Sequence, residues 1–101
     1  MSHHKSNAGT ADKESSNKVM RLAKLPKRDI EALKRIPLLS ARQREVFKLI
    51  GKGLGKADIE VQLGINSNTV ETHRLQIKKK LGLKSASMLT RLAVMDSLII
   101  R

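Results

Sequence analysis

The stretch Ile59-Glu60-Val61-Gln62-Leu63-Gly64-Ile65-Asn66-Ser67-Asn68-Thr69-Val70 constrains the fold of this chain more than any other. An apolar pair at i, i+4, Ile59 and Leu63, ends at a glycine, and a second helical pattern begins just beyond it. Gly64 supplies the left-handed backbone position that a Cβ would penalise. Asn66 is placed to cap the next helix, which the pattern predicts from about Ser67 to Leu81, before Gly82 stops it. A turn this short fixes the direction of the second helix locally. That helix can then press one face on the helix before it and offer the other outward.

Helical patterns flank this unit on both sides. Ser40 with Gln43 three residues later is a capping-box pattern. Val46, Phe47, Ile50 and Leu54 follow at three- and four-residue spacing, with Arg42, Glu45, Lys48 and Lys52 on the wet side. Gly51, Gly53 and Gly55 read as a flexible stop, and the next helix occupies about Lys56 to Leu63. A last helix follows Ser85, a candidate cap, and runs to about Ser97, with Leu89, Leu92, Ala93 and Leu98 or Ile99 as its buried side. Upstream, Val19 to Leu25 suits a helical turn or two. Pro26 suits the first turn of a short helix reaching about Ile36, with Ile30, Leu33 and Ile36 on one face and Pro37 as its end. β-Branched runs of period two do not occur, so the fold class is all-α. The expected organisation is a disordered tail over 1–17, a helical extension or linker over 18–37, and a four-helix domain over 38–101.

Composition narrows the function. The chain has 101 residues, no cysteine, and 21 Lys+Arg against 9 Asp+Glu, a formal net charge of +12. Without cysteine there is neither a disulfide nor a thiolate zinc site, and no apolar run nears the roughly 18 residues of a membrane span. A soluble cytoplasmic protein without membrane partners is the expectation. The positive excess is spread along the chain, with nine basic against four acidic residues up to Leu39 and twelve against five beyond it. Such a balance implies an acidic partner. Phe47 is the single aromatic, so stacking platforms for unpaired bases are missing and duplex DNA is favoured.

Catalytic and nucleotide readings fail on spacing. Gly51-Lys52-Gly53-Leu54-Gly55-Lys56-Ala57 has three residues between Gly51 and Gly55 where a phosphate loop needs four, and Ala57 lacks the hydroxyl. His3 and His4 are adjacent in the tail and do not form a preorganised metal pair. His73 has no second histidine or cysteine near it in sequence and reads as a packing residue or the maker of one structural hydrogen bond. The chain is therefore expected not to be an enzyme and to carry no cofactor, catalytic residue or metal site.

The predicted helix over 67–81 divides cleanly into two faces. At about 100° per residue, Ile77 and Leu81 fall within about 20° of Val70 and form one apolar seam. Asn68, Thr72, Leu75 and Lys79 lie within about 40° of the opposite direction. Glu71 and Lys78 flank them on one side, and Thr69, Gln76 and Lys80 on the other. Short polar groups lead and lysines follow, the gradient of a helix whose first half meets base edges and whose second half meets phosphates. Leu75, apolar on this outward face, suits a thymine methyl.

With these residues placed, the chain resembles the LuxR/GerE-type helix-turn-helix domain of bacterial transcriptional regulators. The resemblance runs from Leu39 to about Ile99. It rests on Leu39-Ser40-Ala41-Arg42-Gln43-Arg44-Glu45-Val46-Phe47-Lys48-Leu49-Ile50, Gly53-Leu54, Ile59, Leu63-Gly64-Ile65, Thr69-Val70-Glu71-Thr72-His73, Ile77 and Lys80-Leu81-Gly82-Leu83-Lys84-Ser85. It implies a four-helix domain that binds double-stranded DNA in the bacterial nucleoid, usually as a homodimer on inverted half-sites, and regulates transcription, with RNA polymerase as a further partner. It also implies base reading by Glu71, Thr72 and Leu75, phosphate contacts from Asn68, Arg74, Lys78 and Lys79, and a dimer contact from Met88, Arg91 and Met95 on the last helix. Two positions depart from the family pattern: Glu71 stands where a basic residue is frequent, and Glu60 where a small one is usual. A glutamate in the groove accepts from a cytosine amino group, so Glu71 is expected to trade general affinity for a C·G preference. Glu60, near the contact between the two helices of the turn unit, must snorkel or pair.

Two other readings share the sequence features. Region 4 of a sigma factor has a similar opening and turn, although His73 and the Lys80–Ser85 stretch fit the LuxR type better. A protein-interaction module that heterodimerises with a longer regulator, without reading DNA, is the alternative from another class. The chain reads either as a stand-alone regulator or as a fragment of a larger one. A salt titration separates the classes: duplex binding should weaken steeply, with a log–log slope of about −0.9 per phosphate neutralised. No duplex binding at low salt would favour the interaction module.

Overall fold

The computed structural model describes residues 25–99. The expected tail over 1–17 and the expected helical turns beginning at Val19 lie outside the described residues, apart from Leu25. Among the described residues there is no strand, and five α-helices follow one another: α1 (Lys27–Lys34), α2 (Ala41–Gly51), α3 (Lys56–Leu63), α4 (Ser67–Leu81) and α5 (Ala86–Ile99). A 3-10 turn, Ile36–Leu38, joins α1 to α2. Packing separates the chain up to Ile30 from Glu31 onward, and α2 to α5 all belong to the second unit.

Most helix ends of that unit have a chemical cause in a cap or a left-handed glycine. Ser40 Oγ accepts the Gln43 amide at 3.1 Å while Gln43 Oε1 accepts the Ser40 amide at 3.0 Å, so both halves of the capping box are made. Gly64 ends α3 in the left-handed region (φ 66°), and both its N–H and that of Ile65 return to the Glu60 carbonyl. Asn66 Oδ1 then accepts the Thr69 amide at 2.8 Å and opens α4. Gly82, also left-handed (φ 72°), closes it, with the Leu83 amide returning to the Lys78 carbonyl at 2.8 Å. Ser85 Oγ accepts the Met88 amide at 3.2 Å at the start of α5.

The core is drawn from every one of these helices. Val46, Phe47 and Ile50 of α2 are buried together with Ile59 of α3, Val70, Ile77 and Leu81 of α4, and Leu89, Leu92 and Ala93 of α5. Both α4 and α5 pack on α2, and α3 packs on α4. At about 1.5–3 kcal/mol per fully buried aliphatic or aromatic side chain, these contacts outweigh the intrinsic helix propensity of the short segments.

Several local expectations need correction. Gly51 is not part of a flexible stop: it is the last residue of α2, and a Cβ there would lie 2.6 Å from the Ala93 carbonyl oxygen. The missing side chain at Gly51 lets α2 approach the α5 backbone closely at Ala93. Pro37 does not end α1, which stops at Lys34; it sits inside the 3-10 turn near its start, where an amide hydrogen is not required. Of the expected apolar face, Leu33 in α1 and Ile36 in the 3-10 turn are part-buried against the core, and Ala32 is buried beside them in sequence. α5 continues past Ser97 to Ile99, and Leu98 is 68% exposed rather than buried. Nine residues beyond Leu89, it falls on the opposite side of the helix.

The Gly51 contact generates a prediction. Gly51→Ala gains helix propensity but forces α2 and α5 apart, and overpacking of this kind costs about 1–3 kcal/mol. Thermal denaturation followed by circular dichroism should show a lower Tm; an unchanged or higher Tm would mean that the approach of the two helices is not tight.

Candidate nucleic-acid interface

The outward face of α4 is set by what its inward face buries. Val70 and Ile77 are fully buried and Leu81 nearly so, which turns Asn68, Thr72, Leu75 and Lys79 to the surface. Leu75 is 51% exposed although it is a large aliphatic residue on a helix with a dry seam available. Glu71 is exposed as well. Arg74 and Lys78 are half-buried, since the helical period sets them nearer the seam. The structure therefore brings Asn68, Glu71, Thr72, Leu75 and Lys79 onto one open surface, with Arg74 and Lys78 along its margin.

Glu71 has a partner that sequence spacing did not reveal. Its Oε2 lies 3.5 Å from Nζ of Lys56, the first residue of α3. The pair links the two helices of the turn unit and offsets the negative charge within an otherwise positive surface. Both side chains are about half exposed, so without a ligand the pair adds little stability. Only the turn at Gly64, which folds α3 back toward α4, makes residues fifteen positions apart neighbours. Glu60 is part-buried on α3, whose apolar hold on the core is Ile59, with Leu63 packed against it.

The lysine run at the end of α4 is not uniform. Lys78 and Lys79 follow the surface just described. Lys80 Nζ instead donates to Gln43 Oε1 at 2.8 Å and to the Leu38 carbonyl at 3.2 Å. Gln43 is 5% exposed and its Nε2 donates to Gln76 Oε1 at 2.6 Å. Arg44 Nη2 adds longer contacts to the Leu39 carbonyl at 3.4 Å and the Pro37 carbonyl at 3.5 Å.

Outside α4, the residues expected at a dimer contact share one side of α5. Arg91 is exposed, Met88 and Met95 are half-buried, and Arg91 Nη1 lies 3.5 Å from Met95 Sδ. Val94 and Leu98 extend this side into an exposed apolar stripe. His73 is half-buried, and its Nδ1 has no hydrogen-bond partner, so at that atom it packs rather than bonds. Among the described residues no group of histidine, cysteine and carboxylate side chains is arranged to hold a metal, and no helix is long and apolar enough to cross a membrane.

Comparison with known proteins identifies relatives of this chain. Residues 37–93 match the GerE family, bacterial regulatory proteins of the luxR family. The oxygen regulatory protein NreC of Staphylococcus aureus strain JH9 is 40% identical over 62 residues, which is 61% of this chain and 29% of that protein. Proteins of the same name from strains JH1 and Mu3 match to the same extent. The chain thus spans less than a third of the length of the curated relatives it matches.

The outward face depends on where α4 begins, and Asn66 decides that. Asn66→Ala removes the acceptor of the Thr69 amide and should cost about 0.5–2 kcal/mol in denaturant unfolding. Asn68→Ala, two residues on and exposed, should change stability by less than about 0.5 kcal/mol. Equal losses from the two variants would contradict the cap assignment.

Proposed function

The chain belongs to the luxR family of bacterial regulatory proteins, a family of helix-turn-helix DNA-binding transcription regulators, and on that premise we propose that it reads duplex DNA through the exposed face of α4. α4 lies in the major groove. Thr72 and Leu75 meet base edges, Leu75 against a thymine methyl, while Glu71 accepts from a cytosine amino group. Asn68, Arg74, Lys78 and Lys79 meet phosphates on either side of the groove and set the register. The single observation that carries this reading is the placement of exposed Leu75 and Thr72 opposite the buried Val70–Ile77–Leu81 seam, beside the lysines.

Two such domains bind as a homodimer across inverted half-sites. The α5 side formed by Met88, Arg91 and Met95, widened by Val94 and Leu98, is the contact between them. Exposed large aliphatic residues grouped on one helix side support an interface there. Regulation of transcription in the nucleoid follows from occupancy of such sites, with RNA polymerase as the machinery affected. Residues 18–37 serve as a helical extension or linker ahead of the four-helix domain over 38–101.

In-vitro selection of bound duplexes from random DNA tests the proposal. Recovered sites should be inverted repeats with a C·G pair that loses its preference in the Glu71→Ala protein. Leu98→Arg should weaken binding to the full repeat by about a hundredfold, the lower end of what joining two binding events gives, and leave half-site binding unchanged. Failure to enrich any duplex would favour the interaction-module reading.

A further inference from the structure

Counting positive charge on α4 overstates what faces a ligand. Of the three consecutive lysines, the last is exposed but already bonded to the protein itself: its ammonium group donates to the Gln43 side chain at 2.8 Å and to the Leu38 carbonyl at 3.2 Å. Gln43 is at once the third residue of the α2 capping box and a bridge to α4, through the 2.6 Å bond from its amide nitrogen to Gln76 Oε1. Its carboxamide oxygen therefore accepts twice, from the Ser40 amide and from Lys80, and its nitrogen donates to Gln76. A side chain only 5% exposed with this many bonds fixes the two helices that carry it and its partners.

We propose that Gln43 and Lys80 are positioning residues for the DNA-reading face: they clamp the C-terminal half of α4 to the start of α2 and to the 3-10 turn, and Lys80 neutralises no phosphate. The inference rests on the reading of α4 as the major-groove helix. The apolar seam decides which side of α4 faces out, but hydrophobic burial is non-directional and leaves small rotations about the helix axis open. Directional bonds on the flank of the seam remove that freedom, and they do so at Gln76 and Lys80, one turn apart on the same side of α4. The same ammonium group ties α4 to the backbone at Leu38, directly ahead of the capping box, so the segment leading into the domain is mechanically joined to the reading helix.

The test uses the full chain, the tightest duplex recovered by selection with it, and a scrambled duplex of the same composition. Lys80→Met, Gln76→Ala and Lys79→Met proteins are compared with the unaltered chain by fluorescence anisotropy over a range of salt. Lys80→Met should leave the salt slope on the scrambled duplex unchanged and reduce the ratio of selected to scrambled affinity about tenfold, the equivalent of ~1.4 kcal/mol. Gln76→Ala, at an exposed position, keeps the proposal testable if Lys80→Met does not fold, and should lower the same ratio without touching the slope. Lys79→Met should do the reverse, reducing the slope by about 0.9 with the ratio kept. A slope reduced by about 0.9 in Lys80→Met, or an unchanged ratio in both Lys80→Met and Gln76→Ala, would overturn the proposal. Loss of all duplex binding by the unaltered chain would instead sink the functional reading beneath it.

Discussion

Burial of Val70, Ile77 and Leu81 is the constraint from which the rest of the domain takes its meaning. A fifteen-residue helix with the composition of α4 is marginal in water by itself. Three side chains withdrawn from solvent, at about 1.5–3 kcal/mol each, hold it against α2 and α3 and thereby decide which residues remain outside. Thr72 and Leu75 are exposed because the seam is satisfied elsewhere on the same helix. Gly64 and Asn66 make the seam reachable, the first by turning the chain in the left-handed region and the second by starting the new helix at the right residue.

Electrostatics is layered on that packing and is more selective than the net charge of +12 implies. Lys56 answers the one carboxylate on the exposed face of α4, while Lys80 bonds to Gln43 and the Leu38 carbonyl. Lys79, with Lys78 and Arg74 at the margin, is left to supply the positive rim. The long-range field still draws the whole surface toward a polyanion. At contact distance, however, each cation acts according to its own partners, and neighbours in sequence have different tasks.

What could be read in the sequence were features set by residues close together along the chain. The capping box at Ser40 and Gln43, the turn at Gly64, the cap at Asn66 and the two faces of α4 all follow from local chemistry and helical period. The missed features come from contacts between distant segments. Gly51 looks like one of three loop glycines until Ala93 is placed against it, and Lys56 meets Glu71 only after the turn has folded. Hydrophobicity leaves Leu98 and Ile99 as alternatives for the buried side of α5; Leu98 is exposed and Ile99 part-buried, and the helical period from Leu89 could have chosen between them. Gln43 was read only as a cap, since a second partner 37 positions away leaves no trace in spacing.

The central claim is that the Thr72 and Leu75 side of α4 touches the bases, and intermolecular NMR contacts examine it most directly. In a saturated complex with a selected duplex, methyl protons of Thr72 and Leu75 should give nuclear Overhauser contacts to thymine methyl and cytosine H5 protons in the major groove. Contacts to those protons from α5 residues instead, with none from Thr72 or Leu75, would contradict the account.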